Sequence, residues 1–209
     1  MSQDAFCDLP LALPESSYTR HSHGLDQFFQ AIRGRPGLDI LDLGEVNQSN
    51  VSFITDLGHR LYSHDFLRAL EEGCQDGDRM SGPSEPEHIR RLLAETLDFA
   101  PRQFDGILVW DALQCLSRPL LAAMVSRLFE ILRPQASLLA LFDAGEKPEE
   151  VPVYSYRVSA ADSMLLVPKG VRRPAQLFTN RGIEKLFHQF HAVKFFLTRD
   201  HLREIIVRR

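Results

Sequence analysis

The 209-residue chain is 44% hydrophobic and 25% charged, which excludes a disordered chain and fits one domain with modest additions. Its formal net charge of -4 is unevenly placed: 13 basic and 24 acidic residues occupy positions 1–150, against 11 and 4 in 151–209. No stretch approaches about 18 uninterrupted apolar residues, and the start "MSQDAFCDLPLALPESSY" lacks the basic end and apolar run of a secretory signal, so a soluble cytoplasmic protein is expected.

A leader or lid segment, 1–24, precedes a single domain, 25–209. "GLDQFFQAIRGRPG" places Leu25, Phe28, Phe29 and Ile32 at helical spacing and ends on glycine and proline. "LDILDLG" predicts a short buried strand stopped by Gly44. "NVSFITDLG" predicts a helix ending at Gly58, and "HRLYSHDF" a second strand with Asp65 at its end. Strand, helix and strand within about thirty residues make a βαβ unit and a parallel sheet.

"DFLRALEEG" reads as the following helix, and "CQDGDRMSGPSEP" as an exposed loop. "EHIRRLLAETL" resumes helical spacing. "FDGILVWDAL" holds the clearest buried strand, Ile107 to Trp110, and "LLAAMVSRLFEILRP" is a long amphipathic helix ended by Pro134. "ASLLALFDA" adds a strand and "VPVYSYRVSAADSM" a strand or lid. "KGVRRP", Lys169 to Pro174, is a basic patch without interleaved aromatics, read equally as a surface loop. "GIEKLFHQF" is a last helix. "VKFFLTRDHLREIIVRR" is an antiparallel edge hairpin with "TRDH" as its turn.

Cys7, Cys74 and Cys115 are odd in number and form no C-x-x-C pair, so they read as reduced and structural. His21 with His23, and His188 with His191, have no recognised zinc spacing, and no metal is expected.

The succession "LDLG", "GHRLYSHD", "FDGILVWDALQCL" and "LFEILRPQASLLAL" resembles the class I S-adenosylmethionine-dependent methyltransferase family over most of residues 25–209. The resemblance implies a three-layer Rossmann-like α/β fold, with a mostly parallel seven-stranded sheet and a C-terminal antiparallel hairpin. It implies S-adenosylmethionine as cofactor, with Asp42 ordering the loop and Gly44 letting backbone pass beside the ligand. Asp65 would accept bonds from the ribose hydroxyls, and Phe66 would pack on adenine. Glu95 and Leu97 would lie near the adenine, and Trp110 would line the floor by the sulfonium. Leu93 stands where an acid often meets the adenine amino group. The leader residues Tyr18, His21 and His23 become candidate lid residues, one of them a candidate base.

The nicotinamide-binding Rossmann fold also places an acid about 20 residues past its glycines, but its fingerprint needs more glycines than "GEVNQS" offers. The methyltransferase pattern itself departs at Val46 and Gln48, where glycines are expected. Val46, β-branched, is expected at negative φ, with Asn47 supplying the turn. The added side chains are expected to occupy volume on the methionine side of the site. Gln48, Ser49 and Asn50 either contact a carboxylate or cap the next helix.

Two functions follow: a methyltransferase with an altered loop acting on an unidentified acceptor, or an inactive methyltransferase-like scaffold that binds a partner. A small-molecule acceptor is weighed ahead of nucleic acid. Asp42 and Asp65 could instead be helix caps, Phe66 and Trp110 core, and Asp111 a turn residue facing no substrate.

Overall fold

The computed structural model describes residues 16–73, 85–145, 150–198 and 202–209. Tyr18–His21 forms the short strand β1, and Ser22 caps α1 (His23–Ile32) by accepting from the Leu25 amide at 3.0 Å. β2 (Asp39–Asp42), buried throughout, leads through α2 (Gln48–Asp56) to β3 (Arg60–Ser63). α3 (Phe66–Gly73) and α4 (Pro86–Thr96) precede β4 (Phe104–Trp110), a 3-10 turn (Ala112–Cys115), α5 (Arg118–Ile131) and β5 (Leu132–Asp143). β6 (Val151–Ala160) and β7 (Ser163–Arg172) form a long hairpin; α6 (Asn180–Leu186), β8 (Ala192–Leu197) and β9 (Leu202–Arg208) follow.

The main sheet runs β3-β2-β4-β5-β9-β8. Its β3, β2, β4 and β5 are parallel, whereas β9 pairs antiparallel with both β5 and β8. The expected C-terminal hairpin is therefore present. The main sheet has six strands among the described residues, against the seven expected; residues 74–84, between α3 and α4, lie outside the described set. Cys7, Cys74, most of the expected exposed loop and most of the "TRDH" turn also lie outside the described residues.

A second antiparallel sheet, β1-β7-β6, sits against α2. The candidate lid residues Tyr18 and His21 belong to its β1, where they pair with Leu166 and Ser163. Lys169 to Arg172 of the basic patch lie on β7, so its first four residues are strand, not loop.

Two apolar layers flank the main sheet. One joins β4 and β5 to α3, α4, α5 and α6, with Phe66, Leu97 and Met124 fully buried. The other joins the opposite face to α1, α2 and the hairpin through Phe28, Ile54, Trp110 and Tyr156. Each fully buried side chain of this size contributes about 1.5–3 kcal/mol. Close packing of α1 on β4 depends on Gly106, where a Cβ would lie 2.7 Å from the Phe28 ring. Among the described residues no helix is long and apolar enough to cross a membrane.

Candidate functional site

The strand order reverses between β2 and β4, and at such a switch point the chain departs to opposite sides of the sheet, leaving a crevice beyond the strands' carboxyl ends. A cleft of about 170 Å³ lies there, lined by Gly44, Asp65, Arg68, Trp110, Asp111, the second sheet's Tyr154 and Tyr156, and their neighbours.

Asp42, at the end of β2, is 2% exposed and organises the cleft's inner wall. Its Oδ1 accepts from the Gly44 amide at 2.9 Å and from the Trp110 indole nitrogen at 2.6 Å, and its Oδ2 accepts from Asn50 Nδ2 at 2.8 Å. Burial raises its pKa, while these three donors pull it back toward the charged form.

Trp110 is held from every side. Its φ is 56°, a backbone conformation costly for a bulky residue, and its ring lies parallel to that of Tyr156 with centroids 5.0 Å apart. A Cβ at Gly44 would lie 2.7 Å from Trp110 Cδ1, so the absent side chain at Gly44 is what admits the indole. Asn50 ties this wall to the second sheet: its Nδ2 also donates to the Tyr156 carbonyl at 3.1 Å, and its Oδ1 accepts from the Val158 amide at 2.7 Å.

The rim is charged. Lys169 Nζ meets Glu45 Oε1 at 2.9 Å, which holds the Glu45 carboxyl below its usual range, and Arg172 pairs with Glu71. The acidic first part of the chain and the basic last part thus meet across the cleft. On one side Asp65 Oδ1 accepts from the Arg68 amide at 3.1 Å, capping α3. On the other, Asp111 is 5% exposed and pushed up to about 6 by burial, with Tyr156 pulling it back down.

No protein-family model matches the sequence, and neither does any curated protein. Solved structures do match in shape. A SAM dependent methyltransferase from Archaeoglobus fulgidus superposes with a TM-score of 0.51 at 9% identity, over 88% of this chain and 91% of that one. A protein from Sulfolobus solfataricus assigned to the type 11 methyltransferases gives 0.50 at 16% identity, over 91% and 94%. The chain has the class I methyltransferase fold.

On that methyltransferase fold the expected cofactor residues fall into three groups. Gly44, Asp65 and Trp110 line the cleft, with Asp42 directly behind Gly44 and Trp110. Phe66, Leu97 and Leu93 are in the apolar layer beneath α3 and α4, away from the cleft lining. Glu95 is exposed on α4.

The loop after Gly44 differs from expectation in an instructive way. Val46 keeps a negative φ but is 60% exposed, and Gln48 is exposed and donates to Ser52, so neither side chain fills the hollow. Trp110 does. Asn47 is extended at φ -143°, not left-handed, and caps α2 by accepting from the Asn50 amide at 3.0 Å. Asn50 faces inward as the link between Asp42 and the hairpin. Asp111 opens the 3-10 turn without its side chain capping it.

Tyr156, Lys169 and Arg172 were not identified as site residues from sequence, although the alternation in "VYSYRV" marks Tyr154 and Tyr156 as sharing one strand face. His21 meets Asp162 at 3.4 Å on the second sheet, and its ring lies 4.7 Å from that of His23. Among the described residues no group of three or more potential metal ligands occurs.

Proposed function

We propose that the protein is an S-adenosylmethionine-dependent methyltransferase whose cofactor binds in the cleft bounded by Gly44, Asp65 and Trp110. The observation carrying this reading is a cleft at the carboxyl edge of β2, β3 and β4, at the switch point of a methyltransferase-fold sheet, with a carboxylate on its rim. Asp42 would hold the loop taut through the Gly44 amide. Asp65, whose Oδ1 already caps α3, would present its carboxylate to the ribose hydroxyls. Trp110 and Tyr156 would exclude water and set an aromatic face near the positive sulfonium. When bound, the cofactor supplies an activated methyl group on a good leaving group, so this chain's task is to position the acceptor and receive its proton.

The fit is incomplete as the side chains stand. Ligand pockets commonly span about 300–1,000 Å³, and the cleft holds about 170 Å³ with the indole seated on Gly44. Cofactor entry therefore requires Trp110 and Tyr156 to part. The same observation favours a second reading, a methyltransferase-like scaffold whose site Trp110 has closed and which acts by binding a partner.

Calorimetry with S-adenosylmethionine separates the two. The enzyme reading expects saturable binding that Asp65→Asn weakens by about 1–2 kcal/mol, because asparagine keeps the helix cap but loses the charge-assisted bonds. Absence of heat at millimolar ligand with folded protein favours the scaffold, and unchanged affinity in the variant removes Asp65 from the ribose role.

A further inference from the structure

With Trp110 seated on Gly44, the cleft is a small cavity with its own chemistry. A cavity of about 150 Å³ takes a benzene-sized ligand. The cleft, at about 170 Å³, is therefore sized for a molecule of about six to eight non-hydrogen atoms.

Its charged groups sort by sign. Each cation lining it is engaged by a glutamate: Lys169 by Glu45 at 2.9 Å, Arg68 by Glu72 at 2.8 Å, and Arg172 by Glu71. Asp65 and Asp111 also line the cleft, and neither forms an ion pair among the described residues. Arg157 acts on Glu45, and Arg172 attracts Asp111 only from longer range. The donors are engaged in the same way, because the Trp110 indole nitrogen and the Gly44 amide both go to Asp42. Asp65 uses one oxygen on the Arg68 amide, and the Asp111 side chain leaves its 3-10 turn uncapped. The space therefore presents carboxylates and no free donor, with buried Asp42 a third carboxylate behind the wall.

The remaining walls are aromatic and apolar. Tyr156 lies parallel to Trp110, and Tyr154 stands at 65° to Tyr156 with centroids 6.0 Å apart, so two aromatic walls meet at an angle. Leu67 and Val153 complete them. Such walls cannot replace the water around the N–H groups of a primary ammonium. A quaternary ammonium carries its charge on an apolar, weakly hydrated shell, and aromatic walls suit it.

We propose that the closed cleft binds a small quaternary ammonium compound of the size and charge of choline, held by Asp65 and Asp111 within the walls of Trp110, Tyr154 and Tyr156. The site exists with Trp110 seated, so the inference does not rest on cofactor binding. A ligand seated there excludes the cofactor.

The test titrates choline chloride into the full chain at pH 8, above the Asp111 value of about 6, with sodium chloride holding the ionic strength constant. Heat and the emission of Trp110, the chain's single tryptophan, report binding. Choline is expected to bind saturably in the millimolar range or below. Its uncharged isostere, with a tert-butyl group in place of trimethylammonium, is expected to bind roughly tenfold more weakly or less. Asp111→Asn, of equal volume, weakens choline roughly tenfold and leaves the isostere unchanged. Tyr154→Leu weakens choline about three- to tenfold by removing an aromatic wall. Absence of saturable choline binding overturns the proposal, as does equal affinity for choline and the isostere, which would make the cleft an apolar hollow. Unchanged choline affinity in Asp111→Asn also overturns it. Should that variant not fold, unchanged affinity in Tyr154→Leu does so. Choline binding by a chain that binds no S-adenosylmethionine supports this proposal and removes the methyltransferase reading, so the two fail separately.

Discussion

Replacing Gly44 by alanine would put a methyl group 2.7 Å from Trp110 Cδ1. The ring cannot retreat cheaply, because Asp42 holds its nitrogen and Tyr156 covers its face. Gly44→Ala is expected to destabilise the protein by about 1–3 kcal/mol and to shift the emission of Trp110, the chain's single tryptophan. Urea unfolding and an emission spectrum check both. Asp111 gives a second expectation. Its folded-state pKa, about 6, lies above the ordinary 3.8, so between those values the folded form keeps a proton that the unfolded chain has released. The stability it contributes is complete below the lower value and is lost as pH rises through the upper one. Asp111→Asn should therefore gain on wild type as pH rises from about 4 to 7, by at most about 3 kcal/mol, which unfolding curves at several pH values would show; a constant difference contradicts it. That Asp42 orders the loop was implied by the family resemblance of "LDLG"; the bond it accepts from the Gly44 amide is what the structure adds. Core was one of the two readings open for Phe66, and it is fully buried; the burial of Leu97 was not legible, since helical spacing defines a face without saying which side of the sheet it meets.

At the scale of elements, the β6–β7 hairpin supplies one wall of the cleft. Asn50 holds it there with bonds to Asp42, the Tyr156 carbonyl and the Val158 amide, all buried. Asn50→Ala strands these partners and is expected to cost about 2–4 kcal/mol, with faster hydrogen exchange at the Val158 amide. Unchanged exchange there would mean that the hairpin is held by its apolar contacts alone. The alternation in "VPVYSYRV" fits the strand that forms, and its partner β7 is next in the chain, but the bonds that dock the hairpin on Asn50 span more than a hundred residues, and nothing local announces them. The same reason hid the ion pairs of Lys169 with Glu45 and Arg172 with Glu71, each joining the basic end of the chain to the acidic beginning. In contrast, the βαβ unit of β2, α2 and β3 and the terminal hairpin were legible because their partners are neighbours in sequence.

For the whole molecule, the order of strands and helices places a cleft where this fold has its switch point, and the side chains then decide whether the cleft opens. Fold order survives loss of the usual glycines because the sheet depends on buried strands such as β4, not on the loop beyond β2. The seam between acidic and basic parts of the chain falls on the rim, so the uneven charge along the sequence is partly satisfied within the molecule itself. What distinguishes a working enzyme from a closed scaffold is therefore the position of one indole ring. A crystal structure of the protein grown with S-adenosylhomocysteine measures it directly. The enzyme account expects the adenosyl group between Gly44 and Asp65, with Trp110 moved off the glycine and its bond to Asp42 broken or lengthened. Trp110 still seated on Gly44, with the ligand absent or bound elsewhere at millimolar concentration, would contradict it.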